Sequence, residues 1–169
     1  PFCPTRINFR YNIPILGFLL LGGKCNDCQK KISIRYPMVE FLSALTTCLC
    51  FYQFSWTLEG AGLVLLAYAL ICLACIDYES GLLPDSITIP FVWIGLIFNY
   101  FDAITSFEQA FWGAFFGYII LWTVYQGFKL LTRKEGMGYG DFKMLAMLGA
   151  WLGIASIPAI IMISSISCL

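Results

Sequence analysis

Five apolar runs separated by short polar breaks constrain this chain more than any other feature of its sequence. Most of them approach the length of about 20 residues at which a helix crosses the hydrocarbon of a bilayer. The chain is 60% hydrophobic and 12% charged, so it lacks the polar shell of a soluble domain, in which about 25% of residues are charged. The pattern predicts an all-α, polytopic integral membrane protein with about five transmembrane helices. The runs lie at residues 38–56, 60–76, 87–101, 109–131 and 142–167.

The polar stretch before the first run predicts a second, smaller part of the chain. We expect residues 1–36 to form a small N-terminal cytoplasmic lobe and residues 37–169 to form the transmembrane domain. The chain begins at Pro1 rather than at methionine and ends at Leu169 directly after an apolar run. We therefore expect the lobe to be incomplete at its N-terminus and the transmembrane domain to be truncated at its C-terminus.

The basic residues predict which side of the membrane each loop occupies. Five alternating crossings place all basic residues on one side of the membrane. In the opposite loops, 57–60 and 102–108, all charged residues are acidic. Positive charge is retained in the cytoplasm, so the basic side is the cytoplasmic one. The formal net charge is zero and histidine is absent, which argues against nucleic acid as a partner and excludes histidine-dependent catalysis. The basic residues are Arg6, Arg10, Lys24, Lys30, Lys31, Arg35, Lys129, Arg133, Lys134 and Lys143.

Two aspartates, Asp77 and Asp141, are the candidate catalytic residues. Asp77 follows the second run and Asp141 precedes the fifth, so two intervening crossings return the chain to the same cytoplasmic boundary. A carboxylate near hydrocarbon is costly unless it is paired or hydrated, which makes such residues functional candidates. Two acids that share one proton can hydrolyse a peptide, because one polarises the carbonyl while the other activates water. Gly138 and Gly140 fit a supporting loop, since glycine lets an extended substrate backbone approach.

Helix capping is the alternative interpretation of these acids. A glycine-rich turn followed by Asp141 is also a common helix start, with the aspartate as N-cap of the fifth run. Asp77 has no such explanation, because a negative charge at the end of a helix opposes the macrodipole. Asp85 competes for the first catalytic position, but Pro84 before it and Ser86 after it favour an N-cap of the third run.

At these residues the chain resembles the type IV prepilin peptidases, the Gly-x-Gly-Asp aspartyl proteases of the bacterial inner membrane. The resemblance covers nearly the whole chain. The matching stretches are Asn-Ile-Pro-Ile-Leu at 12–16, Cys-Asn-Asp-Cys at 25–28, Ile-Arg-Tyr-Pro-Met-Val-Glu at 34–40, Ile-Asp at 76–77, Leu-Pro-Asp at 83–85 and Glu-Gly-Met-Gly-Tyr-Gly-Asp-Phe-Lys at 135–143.

The resemblance implies that Asp77 and Asp141 are the catalytic pair. It also implies cleavage of the leader peptide from prepilins and pseudopilins at the cytoplasmic face, in the service of type IV pili or type II secretion. Family members commonly methylate the new N-terminus with S-adenosylmethionine, so this chain would be bifunctional. The sequence itself contains no glycine-rich Rossmann loop for that cofactor, and the residues that bind it stay unidentified.

The cysteines in the polar stretch predict a structural zinc site. Cys25 and Cys28 have the spacing of a zinc hairpin, and neighbouring lysines favour their thiolates. The resemblance implies a second pair, in which Cys3 is the third ligand and a residue before Pro1 is the fourth. Thiols without a metal are the alternative. Cys72 and Cys75 have the same spacing inside an apolar run, where cysteine behaves as a small hydrophobic residue.

Two functions of other classes stay open at the level of sequence. Asp77 and Asp141 could instead belong to a non-enzymatic ion or proton pathway, although no acid lies deep within a run as such a pathway would need. The chain could also be a metal-dependent membrane transferase in which Asp77, Asp85 and Asp141 bind magnesium and a phosphate. The oligomeric state cannot be predicted.

Overall fold

A computed structural model describes residues 13–132 and 138–167 of the chain. Within these ranges the regular elements are helices, accompanied by one isolated bridge between Lys24 and Lys31, so the predicted all-α class is confirmed for this part of the chain. The helices are α1 (Leu16–Leu20), α2 (Arg35–Phe54), α3 (Leu58–Ser80), α4 (Asp85–Tyr100), α5 (Phe107–Thr132), α6 (Tyr139–Leu152) and α7 (Ile157–Ser167), with a 3-10 turn at Ile154–Ser156 between the last two.

The chain divides after Ser55 into two compact units, of which the first contains α1 and α2. In this unit the Glu40 carboxylate accepts a hydrogen bond from the backbone N–H of Ile15 at 2.7 Å. Ile15 has a left-handed backbone with φ of 63°, a conformation that costs free energy in a β-branched residue. The hydrogen bond from Ile15 to α2 stabilises this turn. The predicted domain boundary between residues 36 and 37 stays a prediction.

Glycines allow α5 and α6 of the second unit to pack backbone against backbone. A methyl group on Gly113 would collide with the carbonyl oxygen of Gly149, and a methyl group on Gly149 would collide with that of Gly113. One turn further along α5, Gly117 lies against the backbone of Leu145. Small residues are typical of helix contacts in membranes, where close backbone approach provides the van der Waals contact.

Trp151 of α6 fills the space between α4 and α3. Its indole ring lies against Gly95 of α4, where a Cβ would come within 2.6 Å of the ring, and near Gly62 of α3. The indole N–H donates to the backbone carbonyl of Phe91 at 2.8 Å. The side chain is fully buried, so this hydrogen bond removes the cost of burying a polar group.

Asn99 connects the end of α4 to the end of α6 through side-chain hydrogen bonds. Its side-chain amide donates to the carbonyls of Ala150 and Trp151 at 2.8 and 3.0 Å, and its oxygen accepts from the N–H groups of Ile104 and Thr105 at 3.2 and 3.0 Å. Asn99 is fully buried. These contacts satisfy the whole amide group and hold the loop between α4 and α5 against α6.

The fifth apolar run is not one continuous helix, and in this respect the prediction for residues 142–167 is wrong. Gly153 has φ of 81°, which glycine adopts readily and other residues rarely do. It ends α6, and a 3-10 turn then leads into α7. Hydropathy did not reveal the interruption because Gly153 is flanked by apolar residues on both sides.

Two helices of the described part, α3 and α5, are long and apolar enough to cross a membrane by length and composition. They differ from the core helices of a soluble protein, because only 28% of the most apolar stretch of α3 and 11% of that of α5 are buried. Aromatic side chains of α5, including Phe111, Trp112 and Phe115, are exposed on its surface. The structure is thus consistent with a membrane protein, and the other three crossings stay a prediction.

Candidate active site

Asp77 lies in the last turn of α3, at the point where the helix ends. The backbone N–H of Gly81 donates to the carbonyl of Asp77 at 2.7 Å, and Gly81 adopts the left-handed conformation that commonly terminates helices. The helix therefore ends through its backbone and through Gly81. The Asp77 carboxylate has no part in this termination, and its charge at a helix C-terminus is unfavourable.

Asp141 lies in the first turn of α6, but it is not the N-cap. The cap position is occupied by Gly138, whose carbonyl accepts a hydrogen bond from the Asp141 backbone N–H at 3.3 Å. The Asp141 carboxylate reaches back to the backbone of Gly138, as the third residue of a helix does in a capping box. The N-cap interpretation of Asp141 is therefore wrong in its detail, although the side chain does assist the helix start.

The structure brings Asp77 and Asp141 near enough for their charges to interact. Asp141 precedes the fifth apolar run, and its pKa is raised above the ordinary value by burial first and then by the negative charge of Asp77. A hydrogen bond from the backbone of Gly138 acts in the opposite direction. A carboxyl group whose pKa is raised in this way keeps its proton to a higher pH than an ordinary aspartate.

Gly140 supports this arrangement by its lack of a side chain. A Cβ at Gly140 would lie 2.8 Å from the Cβ of Leu83, in the segment that links α3 to α4. At Gly138, the one contact that an added Cβ would make with the described residues is with Asp141, at 3.9 Å. The two glycines thus differ: Gly140 lets the start of α6 pack on the α3–α4 segment, whereas Gly138 lies beside the Asp141 carboxylate.

An aromatic cluster holds the start of α6 against the end of α5. Tyr125 of α5 is buried, and its ring packs on Tyr139 and Phe142 with centroids 5.4 and 5.5 Å apart. Tyr118 adds an edge contact to Phe142. Tyr139 and Phe142 flank Asp141 in the sequence, so their packing on Tyr125 fixes the backbone from which the Asp141 carboxylate projects.

Asp85 is neither an N-cap nor a free carboxylate. Pro84 occupies the N-cap position of α4 and Asp85 is the first helical residue, so its predicted capping role is wrong. Lys143 of α6 instead donates to both oxygens of Asp85 at 2.6 Å. This ion pair leaves Asp85 poorly suited to the first catalytic position, and it also weakens the alternative in which Asp85 helps to bind magnesium.

Sequence reasoning missed the roles of Lys143, Tyr125 and Asn99. Lys143 carried a signal, because a lysine near the start of an apolar run has to find water or a partner. For Tyr125 and Asn99 the sequence showed only that a polar group lies among apolar residues. Their partners lie on other helices, and hydropathy does not identify such contacts.

Profiles of two protein families match the chain. Residues 64–169 match the type IV leader peptidase family, and residues 1–54 match the bacterial N-terminal domain that is associated with this peptidase class. The chain belongs to the type IV leader peptidase family. The matched region contains Asp77, Asp141 and the glycine turn before Asp141, so the family assignment covers the whole candidate site.

Curated members of the family resemble the chain along almost its full length. Proteins named prepilin leader peptidase/N-methyltransferase from Stutzerimonas stutzeri, Pseudomonas aeruginosa and Neisseria gonorrhoeae are 46%, 45% and 46% identical to it over 166 residues, or 98% of this chain. The chain spans 57% of the length of the first two relatives and 58% of the third. No solved structure matches it.

The leader-peptidase N-terminal match includes the cysteines for which zinc was predicted. Cys25 and Cys28 lie in a tight turn, in which the Cys25 N–H donates to the Lys30 carbonyl at 2.9 Å and the Gln29 N–H donates to the Cys25 carbonyl at 3.1 Å. Cys3 lies outside the described residues. Residues 13–132 and 138–167 contain no group of three or more His, Cys, Asp or Glu side chains that could hold a metal ion, so they do not by themselves complete a zinc site.

Proposed function

We propose that this chain is the greater part of an aspartic endopeptidase that removes the leader peptide of type IV prepilins and pseudopilins. Asp77 and Asp141 are its catalytic pair in this proposal. The observation that carries it is that the pKa of Asp141, at the start of α6, is raised by burial and by the charge of Asp77, at the end of α3. Relatives with 45% to 46% identity are named for this activity, which supports the choice of substrate.

The chemistry follows from one proton held between two acids. The protonated carboxyl group donates to the oxygen of the scissile carbonyl, and the ionised one takes a proton from the attacking water. Burial and the charge of Asp77 raise the pKa of Asp141, which favours the singly protonated pair. Gly138 has no side chain to obstruct an extended peptide backbone next to the Asp141 carboxylate.

We place the site at the cytoplasmic face of the bacterial inner membrane. The exposed apolar surfaces of α3 and α5 suit contact with lipid. With α2, α4 and the α6–α7 pair as further crossings, the chain spans the bilayer five times. The 16 residues of α4 cover about 24 Å, so the flanks of that helix complete its passage through about 30 Å of hydrocarbon.

We also propose a second activity, methylation of the new N-terminus with S-adenosylmethionine. The support is the N-methyltransferase part of the names that the relatives carry. No residue of this chain is assigned to the methyl donor, and no step of the peptidase chemistry depends on it.

A zinc ion bound by Cys3, Cys25 and Cys28 is a further proposal for the N-terminal lobe. Its support is the tight turn that places Cys25 and Cys28 at the spacing of a zinc hairpin. Metal analysis of the full-length protein tests it: we expect one zinc per chain, lost in Cys25→Ser. A full-length protein that contains no zinc would disprove the proposal.

The test of the peptidase uses the full-length protein in detergent with a purified prepilin. We expect Asp77→Asn and Asp141→Asn to abolish leader removal, because an amide cannot share or accept the proton. Asp102→Asn is the matched control: it makes the same chemical change in the loop after α4, at a left-handed position with φ of 50° that asparagine tolerates.

The outcomes separate the proposal from the two alternatives. Cleavage that persists in either active-pair variant would remove that residue from the mechanism. Loss of cleavage on EDTA treatment, with the zinc of the lobe retained, would instead indicate metal-dependent chemistry. Proton flux through reconstituted protein without substrate would indicate a transport pathway.

A further inference from the structure

The ion pair between Asp85 and Lys143 connects the two parts of the chain that carry the catalytic aspartates. Asp85 begins α4 and follows α3 after a short segment, residues 81–84, so its position is tied to that of Asp77. Lys143 lies two positions after Asp141 on α6. The Lys143 ammonium group donates to both oxygens of Asp85 at 2.6 Å, a geometry that restricts the separation of the two helix starts.

Helix geometry explains why this contact governs the direction of Asp141. Successive residues of an α-helix are rotated by about 100°, so side chains two positions apart project from different faces. Lys143 is held towards α4, and Asp141 therefore projects from another face of the same turn. A rotation of the first turn of α6 that redirected Asp141 would also break the contact between Lys143 and Asp85.

A second contact acts on the same segment. Gly140 lies against Leu83, close enough for an added Cβ to approach the Leu83 side chain at 2.8 Å. The start of α6 is thus in contact with Leu83 of the α3–α4 connection and with Asp85, the first residue of α4. The apolar contact at Gly140 sets how closely the two segments approach, and the ion pair sets their register.

The exposure of the pair argues against a main role in global stability. The side chains of Lys143 and Asp85 are 28% and 56% exposed, and exposed ion pairs contribute little to the free energy of unfolding. The rate of a catalysed reaction is much more sensitive to small movements than the free energy of unfolding is, because a displacement of about 1 Å can lower the rate about a hundredfold. A pair of this kind can therefore matter for kcat without mattering for Tm.

We propose that Asp85 and Lys143 form a positioning pair that holds Asp141 opposite Asp77. The proposal rests on the proposed peptidase function, but it concerns residues that do not touch the reacting atoms. It assigns to Asp85 a function that differs from helix capping and from catalysis.

The test measures prepilin cleavage and thermal unfolding of the full-length protein in detergent. We expect Lys143→Met and Asp85→Asn each to lower kcat by about ten- to a hundredfold, the range that small misplacements cost, with KM and Tm nearly unchanged. Lys143→Arg retains the pairing and should retain most of the activity. The double variant Asp85→Lys with Lys143→Asp reverses the pair and should recover much of the kcat that the single variants lose.

Asp102→Asn serves again as the control for an acid-to-amide change away from the site. Wild-type kcat in both single variants would overturn the positioning role, and so would a reversed pair no more active than the single variants. A fall in Tm that accompanies the loss of kcat would show a merely structural contact and would also overturn it. Failure of the peptidase proposal is recognised separately, by cleavage that survives Asp77→Asn or Asp141→Asn.

Discussion

Gly117→Ala is expected to destabilise the protein by forcing α5 away from α6. A Cβ at Gly117 would lie 2.8 Å from the carbonyl oxygen of Leu145, 3.1 Å from its carbonyl carbon and 3.2 Å from the Cα of Ala146. All three atoms belong to the backbone of α6, so no side chain can rotate away to make room. Relief requires one helix to move by several tenths of an ångström along its contact with the other.

The magnitude follows from two opposing contributions. Inserting a methyl group into a closely packed contact costs about 1–3 kcal/mol, whereas alanine gains about 0.5–1 kcal/mol over glycine within a helix. The net loss for Gly117→Ala is then between about 0 and about 2.5 kcal/mol. At about 2–4 °C for each kcal/mol in a chain of this size, Tm should fall by a few degrees.

Gly127→Ala provides the matched control on the same helix. Outside the neighbouring backbone of α5, no atom of the described residues lies within 4 Å of a Cβ at Gly127, so the substitution should keep only the favourable helix contribution, and Tm should stay constant or rise. Both variants are compared by thermal unfolding of the full-length protein in one detergent. Equal shifts of Tm for Gly117→Ala and Gly127→Ala would refute the close backbone contact between α5 and α6.

Three further outcomes are expected from the described contacts. Asn99→Leu leaves the carbonyls of Ala150 and Trp151 without their donor and should cost at least about 2 kcal/mol, measured by thermal unfolding; an unchanged Tm would contradict the role of this amide. Trp151→Phe loses the hydrogen bond to Phe91 and part of the ring volume, and should cost about 1–3 kcal/mol in the same measurement. Asp141→Asn should be more stable than wild type at neutral pH, because the raised pKa of Asp141 means that folding disfavours its charged form. The folded state binds the proton more tightly, so this penalty is present above the folded pKa and disappears as pH falls below the ordinary aspartate value; a stability difference that does not narrow in acid would contradict it.

Hydropathy, together with a few proline and glycine residues, was enough to predict the approximate positions of α2 to α5. The run at 60–76 became α3 and the run at 109–131 became α5, each with several added residues at the ends. Pro84 and the glycine turn before Asp141 marked two helix starts, because proline fixes its backbone and glycine-rich turns interrupt helices. The same reasoning predicts that Asp77 and Asp141 lie at one membrane boundary, and this stays a prediction.

The contacts that organise the site could not be predicted, because they depend on the register between helices. Lys143 has a partner on α4 only if α6 is rotated so that this residue, and not its neighbour, faces the start of α4. Trp151 requires the absence of a side chain at Gly95, a complementarity that no single segment reveals. The break at Gly153 depended likewise on backbone torsion and not on polarity.

If Asp77 and Asp141 act together as proposed, the location of Asp141 on α6 affects how their geometry is maintained. Most of the α6 side chains that follow it are buried, among them Phe142, Met147 and Trp151, whereas Lys143 is partly exposed, so much of the helix that carries Asp141 is enclosed. The end of α3 is less enclosed, since Tyr78 next to Asp77 is 82% exposed. A catalytic site needs side chains that are held rigidly, and α6 holds Asp141 more rigidly than α3 holds Asp77. The position of Asp77 depends on the short segment that leads to α4 and on the contacts of that segment with the start of α6. Substitutions along that segment should therefore disturb catalysis more than substitutions of the same size on the exposed face of α3.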